Sequence, residues 1–199
     1  MYHKGEKMEK HHRKDHKHDP EREKIQEKIE ETVLLFGEFM PDMIILDVGT
    51  GFGHVCRLLA ELFNEPGHVY SIDPSKEVIK SVKHQLEEQG LQDRIVFKEA
   101  FAEKLPFNDD FFDAAISALT LHHVENLNDS VKEITRVLSP GGKLIIVEWK
   151  AKASNFVSHP PSHFLDPPEK LVEVLEKNGL EILEIKEVEL WYAINSVKT

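Results

Sequence analysis

The sequence predicts an α/β protein: a seven-stranded, mainly parallel sheet with helices on both faces and an antiparallel hairpin at the C-terminus. Three observations predict it. Short apolar runs alternate with stretches of helical periodicity along most of the chain. The runs are apolar at nearly every position, as strands covered on both faces are. Glycines or acids end run after run, at the edge of the sheet where such folds bind ligands.

The elements follow in order. From Glu21, the residues Ile25, Ile29, Val33, Phe36 and Phe39 recur at helical spacing, and Pro41 closes the helix. Met43–Val48 is the first strand. A helix from about His54 to Phe63 sets Val55, Leu58, Leu59 and Leu62 on one side, and Pro66-Gly67 turns the chain. Val69–Asp73 is the second strand, and Pro74 and Ser75 open a helix that runs through Gln89 to Gly90. Arg94–Lys98 and Asp113–Leu119 are the third and fourth strands. Asn126–Leu138 is a helix ended by Pro140-Gly141-Gly142, and Lys143–Trp149 is the fifth strand. Asp166 caps a helix with prolines in its first positions, and Gly179 ends it. Residues 180–190 and 191–198 close the sheet, with no Gly or Pro turn between them to fix the hairpin.

At 199 residues the chain suits one domain with a sizeable core. Its apolar runs are far too short for a membrane helix, and its charged first residues lack the apolar stretch of a signal peptide. A cytoplasmic location without membrane insertion is the expectation. One cysteine, Cys56, rules out an intramolecular disulfide and a cysteine-rich zinc site. A net charge of -11 argues against a general nucleic-acid binder. Residues 1–24 are net positive, hold five of the twelve histidines and have almost no apolar side chains. They read as a charged tail or lid, with the folded domain over 25–199.

The strongest motif is Leu46-Asp47-Val48-Gly49-Thr50-Gly51-Phe52-Gly53. A glycine-rich turn between strand and helix lets backbone approach a ligand, because no Cβ intrudes. The bland alternative is a tight turn with no ligand. His54 stands where a dinucleotide fingerprint needs its third glycine. A carboxylate at Asp47 would also repel pyrophosphate, and it suits an ammonium or sulfonium group. Asp73, twenty residues beyond Gly53, ends the second strand. A carboxylate there accepts both hydroxyls of an adenosine ribose, or caps the next helix.

These segments are joined by Leu105-Pro106-Phe107, by Asp113 through Leu121-His122-His123-Val124, and by Arg136-Val137-Leu138-Ser139-Pro140-Gly141-Gly142. Together they resemble the successive motifs of class I S-adenosylmethionine-dependent methyltransferases. The nearest branch is that of the ubiquinone/menaquinone C-methyltransferases (methyltransferase type 11), over about residues 25–199. The resemblance implies a Rossmann-like sheet, S-adenosyl-L-methionine as cofactor, and methyl transfer. It implies that Asp47, with Gly49, Thr50, Gly51 and Gly53, holds the methionine moiety, and that Asp73 holds the ribose. Pro74 would lie against the adenine, and Ser117 would line the methionine side. Phe101 stands where the family carries an adenine-contacting Asp, a departure that leaves the Ala102 N–H to serve the ring.

His122 and His123 follow the fourth strand, near where the transferable methyl would sit. One of them could be a general base for a protic acceptor, or both could belong to a structural turn. Trp149 and His163 are candidate acceptor-site residues, though Trp149 is equally explained by packing. His12 and His16 have the i, i+4 spacing of a metal pair, but a solvated tail is the simpler reading and no metal is expected. The acceptor is expected to be a small molecule. Ser117-Ala-Leu-Thr120 stands where methylases of exocyclic base amines carry an Asn/Asp-Pro-Pro-aromatic motif, and a single cysteine disfavours arsenite chemistry. Two other classes stay open: a non-catalytic S-adenosylmethionine-binding scaffold and a nicotinamide-dependent oxidoreductase. The glycine spacing and Asp47 oppose the second. The oligomeric state is not encoded in any motif.

Overall fold

In the computed structural model, which describes residues 20–155, 157 and 164–199, α1 (Pro20–Gly37) leads to β1 (Ile45–Val48), α2 (His54–Leu62), β2 (Val69–Asp73), α3 (Lys76–Glu87) and β3 (Ile95–Glu99). The chain continues through β4 (Phe112–Ala118), α4 (Leu127–Val137), β5 (Leu138–Trp149), α5 (Glu169–Lys177), β6 (Leu180–Glu187) and β7 (Trp191–Lys198). The strands form one sheet in the order β3-β2-β1-β4-β5-β7-β6. β7 runs antiparallel to both neighbours, and the other pairs are parallel. The chain winds outward from β1 to β3 and then restarts at β4 on the other side of β1. That reversal opens a crevice at the carboxyl ends of β1 and β4.

Alternation along the strands splits the core into two layers. Ile145 and Val147 of β5 pack with Ile29, Val33, Phe36 and Leu59 from α1 and α2. Leu144 and Ile146 pack on the opposite face with Val131 and Ile134 of α4 and Leu171 and Leu175 of α5. Trp149, cross-strand partner of Trp191, belongs to the first layer. These are the only two tryptophans in the chain.

Four expectations shift. α1 starts at Pro20, so residues 20–24 are helical and not tail. It ends at Gly37, before Pro41, because Glu38 adopts φ +46 and the Phe39 ring folds back onto Gly37. Phe39 then packs edge-on against Phe63, so its apolar side chain serves the core from outside the helix. α4 ends at Val137 and runs straight into β5, so Ser139-Pro140-Gly141-Gly142 lies inside a strand. Register shifts there, with Leu138 opposite Phe112 and Lys143 opposite Ala114, the sort of irregularity that tolerates proline. Asp166 does not cap α5; Pro168 holds that position with no side-chain bond. The Asp166 carboxylate instead accepts the Ala151 N–H at 2.9 Å and ties the end of β5 to the approach of α5.

The β6–β7 hairpin closes without Gly or Pro through a Val188 N–H to Trp191 carbonyl bond of 3.0 Å. The Leu105-Pro106-Phe107 segment is held by Arg136. Its guanidinium donates to the Leu105 and Phe107 carbonyls and to Glu133 and Asp109, while Glu133 accepts the Leu105 N–H. The tail histidines, residues 1–19 of the expected tail or lid, His159 and His163 lie outside the described residues.

Candidate functional site

At the end of β1 the chain turns through Gly49–Gly53 into α2. The Gly49 and Thr50 N–H groups both bond to the Ile72 carbonyl at 2.9 Å, and Gly53 N–H bonds to the Thr50 carbonyl at 2.8 Å. Gly49 has φ +92, and a Cβ there would lie 2.3 Å from Thr120 Oγ1. The segment after β4 therefore sits directly on this turn. Gly51 differs. Its φ is +49, but an added Cβ would meet nothing nearer than the Gly49 carbonyl oxygen at 3.8 Å. Steric need inside the protein explains the first glycine; at the second, the protein leaves space.

Two carboxylates flank that space. Asp73 accepts the Gly51 N–H at 3.2 Å on one oxygen and the Ser75 N–H at 2.9 Å on the other. Ser75, and not Asp73, caps α3, accepting the Val78 N–H at 3.2 Å. Each Asp73 oxygen keeps lone pairs for further donors, such as vicinal hydroxyls. Asp47, 1% exposed, accepts from Ser71 Oγ at 2.7 Å through Oδ2, and Ser71 Oγ lies 2.7 Å from Thr50 Oγ1. Asp47 Oδ1 has no protein partner, and neither does Ser117 Oγ on adjacent β4. Burial pushes the Asp47 carboxyl up to about 7, against the Ser71 hydrogen bond and with help from the Asp73 charge.

Pro74 is exposed beside Asp73. An Ala100 N–H bond to the Asp73 carbonyl, 3.2 Å, brings the segment after β3 against the end of β2. There Phe101 is 63% exposed and Ala102 is buried.

Across the crevice, Glu148 of β5 is fully buried. Its Oε1 accepts the Leu121 N–H at 2.8 Å and its Oε2 lies 2.6 Å from His122 Nδ1. Both side chains of the pair are almost wholly enclosed. His123 is exposed, with its ring tilted against His122 at 4.0 Å between centroids. Sequence reasoning missed Glu148 and Ser71. The available signal for Glu148 was an acid inside the apolar run Leu144–Trp149, where an unpaired charge is costly. Trp149, next in the strand, points to the opposite layer from Glu148 and is packed in the core.

The residues present fit an S-adenosylmethionine-type ligand. Vicinal hydroxyls match Asp73, a cationic amino-acid end matches the unpartnered Asp47 oxygen, and Gly51 admits close backbone approach. A pyrophosphate would meet two carboxylates.

A mainly parallel sheet with a glycine turn between two carboxylates at its switch point defines a Rossmann-like fold. Comparison narrows this: the family model described as a methyltransferase domain matches residues 46–146, and the chain belongs to that family. It is 32% identical over 114 residues to the ubiquinone/menaquinone biosynthesis C-methyltransferase UbiE of Pseudomonas aeruginosa, covering 57% of this chain and 44% of that one. The chain thus matches less than half the length of that relative. Its fold is similar to a SAM-dependent methyltransferase from Aquifex aeolicus, with TM-score 0.72, 24% identity, and coverage of 92% of this chain and 100% of that one. It is also similar to the [4+2]-cyclase SpnF, with TM-score 0.74, 21% identity, and coverage of 86% and 80%. No described helix is long and apolar enough to cross a membrane. Among the described residues no group of three His, Cys, Asp or Glu could hold a metal ion.

Proposed function

We propose that the protein is an S-adenosylmethionine-dependent methyltransferase acting on a small organic acceptor in the cytoplasm. The observation that carries this is the seat formed by Asp47, Gly51 and Asp73 at the switch point. S-Adenosylmethionine supplies an activated methyl group on a sulfonium whose leaving group is neutral. The chain's own task is to bind, align and exclude water. Asp73 takes the ribose hydroxyls, Asp47 Oδ1 the amino-acid cation, and Ser117 Oγ adds a polar contact on the methionine side. Pro74 and Phe101 give the adenine apolar surface beside the Ala102 N–H. Alignment alone is worth roughly 7–11 kcal/mol of barrier, so neither a nucleophile nor a metal is required.

Of the two histidines, His122 is the better held. Glu148 engages its Nδ1 at 2.6 Å and fixes the orientation of the ring. His123, exposed with its ring 4.0 Å from that of His122 between centroids, is the one placed to take a proton from a protic acceptor. The UbiE relative is a C-methyltransferase of quinone biosynthesis, so a quinol-type aromatic carbon is the first acceptor to try.

Two measurements test the reading. S-Adenosylhomocysteine should raise the melting temperature, as mass action requires, and NADH should not. Labelled S-adenosylmethionine should pass its methyl to a quinol or to a component of a metabolite extract. Tight NADH binding with no response to S-adenosylhomocysteine would sink the proposal, and donor binding without any labelled product would favour the scaffold reading.

A further inference from the structure

Thr50, Ser71 and Asp47 form a buried chain of three oxygen-bearing side chains, each step 2.7 Å, with at most 3% of any residue exposed. Its polarity follows from counting protons. Ser71 has one hydroxyl hydrogen and donates it to Asp47 Oδ2. While Oδ2 accepts, Thr50 is the donor in the Thr50–Ser71 bond, and the chain runs from Thr50 through Ser71 into the carboxylate. The far oxygen of that carboxyl, Oδ1, is buried and has no protein partner. Register explains the alignment: Asp47 and Ser71 are partners across the β1–β2 ladder, and Thr50 is brought over them by the bond from its N–H to the Ile72 carbonyl.

We propose that Ser71 is a positioning residue that turns Asp47 into a proton-exchanging seat for the cationic amino group of the methyl donor. This rests on the proposed function, and it adds a residue and a proton inventory to it. In the free protein the Asp47 carboxyl keeps its proton near neutral pH, as its burial dictates. On binding, the carboxyl O–H bond breaks, the proton leaves to solvent, and an ammonium N–H of the ligand donates to Oδ1. Charge balances, because a neutral carboxyl and a cation become an ion pair and a released proton. The titratable groups that face Asp47 are the Asp73 carboxylate from β2 and the Cys56 thiol from α2, which burial pushes up. Asp73 opposes ionisation of Asp47, while the Ser71 hydrogen bond favours it. Removing that bond should move the proton-release window to higher pH.

The experiment is isothermal titration calorimetry of S-adenosylhomocysteine into the full chain, in phosphate and in Tris, at about pH 6 and about pH 8. The difference between buffers counts protons. The wild type should release close to one proton at the lower pH and little at the higher. Asp47→Asn should release none. Ser71→Ala should still release protons at the higher pH and lose more affinity at the lower pH than at the higher. Thr50→Val, which keeps the shape and removes the first hydroxyl, should shift the window in the same direction by less. Proton release that is absent in the wild type, or unchanged in Ser71→Ala with affinity lost equally at both pH values, overturns the proposal. Failure of S-adenosylhomocysteine to bind at all overturns the donor reading itself, and binding without proton release leaves that reading standing.

Discussion

Asp47 and Glu148 end strands on either side of the switch point, both fully buried, and the fold treats them in opposite ways. Glu148 has both oxygens engaged, one by the Leu121 N–H and one by His122. Asp47 has one oxygen engaged and one without a partner. They also face different layers. Asp47 shares its side of the sheet with Ile45 and the α1–α2 layer, and Glu148 shares its side with Ile146 and the α4–α5 layer. A buried carboxylate with both oxygens satisfied fixes the shape of a loop. One with an oxygen left over destabilises the empty protein until a ligand supplies a donor.

The largest test of this contrast is Glu148→Ala. It removes the acceptor of the Leu121 N–H and the partner of a buried imidazole, and should cost about 3–5 kcal/mol in urea denaturation. A loss below about 1 kcal/mol would show that the segment after β4 is held by something else.

Gly49→Ala comes next. The new Cβ would enter the Thr120 side chain at 2.3 Å in a left-handed conformation, for a loss of about 2–4 kcal/mol.

Asp47→Asn should act in the opposite direction. Burial pushes the folded carboxyl up to about 7, against an ordinary value of 3.8. The folded state therefore binds the extra proton between those values, and stability falls as pH rises through that window. The penalty is complete above the folded value and vanishes below the unfolded one. The amide carries no such penalty, so the ligand-free variant should gain on the order of 4 kcal/mol at pH 8 and nothing at pH 3, while binding S-adenosylhomocysteine poorly. Equal melting temperatures at pH 8 would remove the contrast with Glu148.

Gly51→Ala should cost only the left-handed backbone, about 1–2 kcal/mol, yet abolish ligand binding because its Cβ fills the space left for it. The smallest effect belongs to Phe101→Asp. At an exposed site it should move stability by no more than about 0.5 kcal/mol. Its readout is binding, where preference for S-adenosylhomocysteine over its inosine analogue should sharpen.

The glycine turn and the two acids of the proposed donor seat were legible in the sequence because their requirements are local. Glycines at positive φ, an acid ending an apolar run, and a second acid at fixed distance sit within residues 46–73. The sheet was legible for the same reason, since each strand run carries its own signal. The rest of the site depends on contacts that spacing does not carry. His122 meets Glu148 across 26 positions, and Ser71 meets Asp47 across 24, through strand register. Sequence marked His122 and passed over its partner. It also read Asp166 as a cap from the prolines that follow, when a backbone N–H fifteen residues upstream had the stronger claim. Pro140-Gly141-Gly142 was read as a stop for α4; in the fold it is an irregularity at the start of β5, a distinction that only pairing with β4 can make.

Trp149 and Trp191 face one another across β5 and β7 at the end of the sheet that carries Glu148. Since the chain has no other tryptophan, its entire indole emission comes from one cross-strand pair. The protein thus carries a built-in optical gauge of a single locus. Fluorescence there reports solvent entry between α1 and the β5–β7 ribbon without any attached dye. It should respond to disturbance of β5 and β7 sooner than to events at the glycine turn.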